Sequence, residues 1–103
     1  MPWLMTVLES SPIAALDRVL LIGGKNFAPE YAAPSANDLE ELWGRPVTLR
    51  TPYGTAFETA IVDAERTISF LDIPSLTITV PLSVPGEYVQ PGTEVFLTED
   101  PAA

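Results

Sequence analysis

The stretch PVTLRTPYGTAFETAIVD, residues 46–63, decides how this chain is read. Thr51-Pro52-Tyr53-Gly54 suits a type I turn with proline at its second position, followed by glycine in a left-handed bulge. On either side, branched or aromatic residues alternate with polar ones, as half-buried strands require. A hairpin closed at that turn sets Thr51 opposite Thr55, Arg50 opposite Ala56 and Leu49 opposite Phe57. Val47, Leu49, Phe57 and Ile61 then share a core face, while Arg50 and Glu58 lie diagonally on the outer one.

Short strands recur on both sides of this hairpin. LTITVPL (76–82) alternates most regularly, with Leu76, Ile78, Val80 and Leu82 facing one way. Pro81 has no N–H to donate, which puts that end of the strand at an edge or a bulge. Asp63-Ala64-Glu65 reads as a turn, residues 67–71 (TISFL) as a short strand, and Pro74-Ser75 as the next turn. RVLLI (18–22), stopped by Gly23-Gly24, reads as a buried strand, and residues 3–8 as either a strand or a packed N-terminal arm. Pro29 and Pro34 make residues 26–36 a loop. In NDLEELWG (37–44), Asn37 and Glu40 form a capping box and Gly44 a left-handed stop, giving a short helix with Leu39, Leu42 and Trp43 inward. In SVPGEYVQPGTEVFL (83–97), each proline presets a turn and each glycine takes positive φ, with Tyr88 between them turned inward. Val95 and Leu97 complete the core pattern.

The expected fold is therefore mostly β: a small single-domain antiparallel β-barrel of six to seven short strands with one short helix. An N-terminal arm (1–17), a barrel core (18–98) and a frayed tail (99–103) divide it. A chain of 103 residues buries roughly 60–70% of its unfolded surface, enough for a core without staples. Eleven prolines argue for many short elements and against long helices.

Composition also narrows the chemistry. The formal charge is −9, from 14 acidic and five basic residues, and a field of that sign repels nucleic acid and anionic lipid. The apolar N-terminus lacks a basic start and is interrupted by Glu9, Pro12, Asp17 and Arg18, so it reads as neither a signal peptide nor a membrane anchor. Without cysteine or histidine the chain has no thiolate, no disulfide and no ordinary zinc site; a cytoplasmic setting fits. Asp38, Glu40 and Glu41 cluster, but as a helix cap and a solvated face they need no ion. A serine nucleophile would need the only lysine, Lys25, as its base, and LLIGGKN lacks the spacing of a phosphate loop. A carboxylate hydrolase would need two acids at fixed separation over one pocket. These observations point away from an enzyme and from any cofactor. Tyr31, Tyr53 and Tyr88 are the candidates for a protein-binding patch.

GRPVTLRTPYGTAFETAIVD (44–63), followed by TITVPLSVPGEYVQPGTEVFL (77–97), resembles the small β-barrel that forms the second domain of translation elongation factors such as elongation factor Tu. The shared pattern is a strand, a glycine hairpin and a second strand, then an apolar strand leading into a closing hairpin, over about residues 44–98. In those factors the barrel packs against a GTPase domain and helps hold the aminoacyl end of transfer RNA; this chain has no GTPase domain. A rival resemblance is to PilZ barrels, which bind cyclic di-GMP. Arg45 and Arg50 stand one residue farther apart than the RxxxR motif of that family, and DAERTIS departs from its [DN]xSxxG motif. The expected function is a non-catalytic binding or protein-interaction module, pairing with another protein or with itself through an exposed edge strand, without nucleic acid or membrane. The alternative is a small-ligand or nucleotide-sensing barrel of PilZ-like type in which Arg45 and Arg50 contact an anion.

Overall fold

A computed structural model describes residues 2–31, 37–68 and 73–98. The chain is mostly β, and its eight described strands form two four-stranded antiparallel sheets. One sheet runs β1 (Trp3–Thr6), β8 (Glu94–Leu97), β4 (Pro46–Arg50), β5 (Ala56–Ala60). The other runs β2 (Glu9–Ile13), β3 (Arg18–Gly24), β7 (Pro74–Pro81), β6 (Asp63–Ile68). The barrel expected from the sequence is thus two sheets and not one closed ladder. They communicate at two corners, where strands change sheets through bends. Val7 N–H bonds the Thr93 carbonyl in the first sheet and Leu8 N–H the Ile22 carbonyl in the second. Ile61 N–H likewise bonds Arg45, and Val62 N–H bonds Thr79.

The β4–β5 hairpin has the expected register, with Leu49 opposite Phe57 and Arg50 opposite Ala56. Gly54 adopts φ +93°, and its N–H bonds the Thr51 carbonyl at 3.1 Å, closing the turn around Pro52 and Tyr53. Between the sheets lies one core. Leu4, Met5, Val7, Leu21, Val47, Leu49, Ile61, Leu76, Ile78, Val80 and Val95 are its most deeply buried side chains, with Leu42 just after the helical turn α1 (Asn37–Glu40). Fully burying a side chain of this size stabilises the fold by about 1.5–3 kcal/mol.

Several expectations need correction. Of the two readings of residues 3–8, the strand holds, as β1, and the segment expected as an arm (1–17) also supplies β2, giving eight described strands in place of six or seven. ESSPI, the sequence of β2, escapes the period-two pattern because it lies at a sheet edge with no buried face. The turn expected at residues 63–65 belongs to β6. The bend comes earlier, at Val62, and the Thr79 hydroxyl receives the Asp63 N–H at 3.1 Å to start the new ladder. The end of the TISFL segment (69–71) lies outside the described residues, as do residues 32–36 and the tail 99–103. Pro74 begins β7 and pairs with Ile68, because proline is acceptable as the first residue of a strand.

Trp43 is 54% exposed, whereas Leu39 and Leu42 point inward. With only one helical turn, the apolar face is too narrow to include it. Gly86 has no positive φ and opens a 3-10 turn, Gly86–Tyr88, after the extended Pro85. Gly92, at φ +94°, does take the expected conformation, and the Thr93 N–H to Gln90 carbonyl bond closes its turn. Pro81 also meets expectation. Odd residues of β7 present their backbone groups to β6, and pairing on that side ends at Asp63–Thr79 before Pro81 is reached.

Candidate binding surface on the hairpin

The five expected site residues do not form one site. Tyr31 ends the 3-10 turn Pro29–Tyr31, is half-buried against the core, and accepts an Arg66 Nη1 hydrogen bond at its carbonyl, 2.6 Å away. Tyr88 is also half-buried, as expected, with its ring centroid 5.1 Å from that of Phe57. Tyr53 differs from both: it stands on the hairpin tip with 93% of its surface exposed. Arg45 immediately precedes β4 and Arg50 ends it. Five residues of extended chain put their backbones roughly 16 Å apart, and an odd spacing along a strand sends side chains to opposite faces. Arg50 instead lines a shallow depression on the outer face with Thr48, Gly54, Ala56 and Phe96.

What the structure adds is the strand edge beside Tyr53. Because Thr51 N–H bonds the Thr55 carbonyl and Ile61 N–H bonds the Arg45 carbonyl, odd residues of β5 direct their backbone groups toward β4. Ala56, Glu58 and Ala60 therefore direct theirs away from the sheet, and nothing among the described residues bonds them.

The other three edges are treated differently. On β1, the outward Leu4 carbonyl accepts the Ala28 N–H at 2.7 Å and the outward Thr6 N–H bonds the Asn26 carbonyl, with Phe27 bridging to Met5. On β2, the ladder with β3 leaves Ser10 and Pro12 facing out, and Pro12 has no N–H to offer. On β6, α1 packs alongside and the Trp43 indole N–H reaches the Ala64 carbonyl at 3.4 Å. Covered, proline-bearing and screened edges are common protections against unwanted pairing.

The open edge runs toward a groove of about 440 Å³ lined by Thr51, Pro52, Tyr53, Thr55, Glu87, Gln90 and Pro91. Thr55 directly precedes Ala56, so the groove begins where the edge ends. The Phe57–Tyr88 ring contact holds the Gly86–Tyr88 turn against the hairpin, and the Thr51 and Thr55 hydroxyls bond each other at 2.7 Å, fixing its neck. Glu87 is the only charged residue among the groove's lining. Sequence reasoning missed Ala56, Glu58, Ala60 and Glu87. The hairpin register carried a signal for the first three, since it fixes which backbone groups turn outward.

Two acidic residues, Asp63 and Glu65, line a separate depression with Arg18 and Trp43. Asp63 is already engaged, one carboxylate oxygen by Arg18 at 2.8 Å and the other by the Thr79 hydroxyl at 2.9 Å. No group of three potential metal-ligating side chains occurs among the described residues, and no helix there is long and apolar enough to cross a membrane. Compared with known proteins, the chain matches no family model, no curated protein and no solved structure.

Proposed function

We propose that this chain is a non-catalytic protein-interaction module that takes up an extended segment of a partner along β5, by addition of a strand to the sheet. The observation that carries this reading is the contrast among the four sheet edges. Those of β1, β2 and β6 are covered, proline-bearing or screened, while β5 presents the outward groups of Ala56, Glu58 and Ala60. Tyr53 and the adjoining groove supply side-chain contacts beside the edge. The proposal keeps the fold-level likeness to the translation-factor barrel, without its GTPase or transfer-RNA context, and a cytoplasmic location. The separation of Arg45 and Arg50 counts against the nucleotide-sensing alternative.

Ala56→Pro tests the reading. It removes an outward N–H and no bond to β4, so the hairpin stays intact while the edge loses a donor. Extended peptides selected from a random library against the full chain are expected to protect the Ala56, Glu58 and Ala60 amides from hydrogen exchange and to lose affinity for Ala56→Pro. Selected peptides that bind both proteins equally would overturn it.

A further inference from the structure

Two partners suit an open edge: another copy of this chain, or a different polypeptide. Charge separates them. A symmetric antiparallel pairing of two β5 strands that uses all three outward residues sets Glu58 opposite Glu58, and Ala56 opposite Ala60. Like charges directly opposite across a ladder are destabilising. Each copy also carries a net charge of −9. Self-pairing is therefore opposed locally and globally.

The same features favour a cationic guest. Glu58 is exposed, has no ion pair among the described residues, and has the small side chains of Ala56 and Ala60 two positions away on either side. Arg50 stands one strand further in, directly opposite Glu94 in the β4–β8 ladder. At the far end of the edge, the groove holds one carboxylate, Glu87, together with the exposed ring of Tyr53 and the flat faces of Pro52 and Pro91. A carboxylate and an aromatic face together suit the ammonium of lysine or the guanidinium of arginine.

Accepting strand addition at β5, we infer that the partner segment is basic, with one cationic side chain beside Glu58 and another in the groove between Tyr53 and Glu87. The backbone of the segment is held by the edge, and its side chains are read on both faces, the outer one at Glu58 and the opposite one at the groove beside Thr51 and Thr55. Long-range attraction to the acidic surface speeds encounter and makes binding sensitive to salt.

The test uses the full, isotope-labelled chain and two capped seven-residue peptides, Thr-Lys-Lys-Thr-Lys-Lys-Thr, which carries lysine on both faces of a strand, and the same peptide with glutamate in place of lysine. Amide shifts of Ala56, Glu58 and Ala60 report the edge, and those of Tyr53 and Glu87 report the groove. The lysine peptide is expected to move both sets and to bind roughly tenfold more tightly than the glutamate peptide. Glu58→Lys combined with Glu87→Lys is expected to reverse the preference. Equal edge binding by both peptides, abolished by Ala56→Pro, would sink the basic-partner inference and leave strand addition standing. Failure of both peptides to move the edge amides, or binding indifferent to Ala56→Pro, would overturn strand addition and the inference with it. Concentration-dependent pairing of the chain through β5 would overturn the inference in favour of a second copy.

Discussion

The edges of β1 and β5 bound the same sheet and meet opposite treatment. Residues 26–28 lie along β1, and their bonds to Leu4 and Thr6 satisfy its outward backbone groups, with Phe27 packed into the core. No described segment lies along β5. Among the described residues, a connecting loop finishes one side of the sheet and the other side stays open. A covered edge should contribute to stability, and an open one should contribute almost nothing to it.

The sharpest way to break that comparison is Phe27→Ala. Phe27 is 7% exposed and bridges to Met5, so its loss empties part of the core and loosens the cover of β1. The expected cost is about 3–5 kcal/mol, read by chemical denaturation. A loss below 1 kcal/mol would mean the loop is not holding that edge.

Next in size is Thr59→Pro. Thr59 is paired with Val47, and its N–H points into the sheet, so proline there removes a ladder bond and orphans a carbonyl of β4. The expected destabilisation is at least about 2 kcal/mol. A neutral result would mean that the parity assigned to β5 is wrong, and with it the outward direction of Glu58.

How much of this was legible in the sequence follows a physical line. The β4–β5 hairpin was readable because its turn chemistry and its alternation are both local, and each fixes the register independently. The β7 face of Leu76, Ile78 and Val80 was readable because a strand buried on one face alternates. β2 was not, since ESSPI has no core face to declare itself, and the start of β6 was hidden because its bend falls on apolar Val62 and its ladder begins with residues typical of turns. The two Pro-Gly steps look alike in one dimension. They differ in the fold because Pro85 leads into a 3-10 turn and Pro91 into a two-residue reversal. Register could have said which backbone groups of β5 turn outward. Only tertiary structure says that residues 26–28 cover β1 and that nothing described covers β5.

A smaller effect, about 1 kcal/mol, is expected for Trp43→Ala, because the side chain is half-exposed and its bond to the Ala64 carbonyl is long. Its value lies in what it opens. Removing the indole leaves the Ala64 carbonyl facing solvent and thins the cover over β6, making that edge more like β5. Amide exchange near Ala64 and Arg66 should accelerate while the rest of the sheet keeps its protection. Unchanged exchange there would mean that α1, and not Trp43, screens this edge.

The smallest effect on stability belongs to Ala56→Pro, expected to stay within about 0.5 kcal/mol of the parent. The chain already shows that its sheets accept such a residue: Pro12 occupies an outward-facing position on β2, where the missing N–H is not needed. Ala56 holds the corresponding position on β5, exposed and with no bond from its N–H to β4. If the two edges differ only in what they offer a guest, transferring proline from the logic of β2 to β5 should leave folding untouched and remove binding. A loss above 1 kcal/mol would show that the Ala56 N–H is already employed within the fold. β5 would then be a fourth finished edge, and the contrast with β1 would no longer identify a place for a partner.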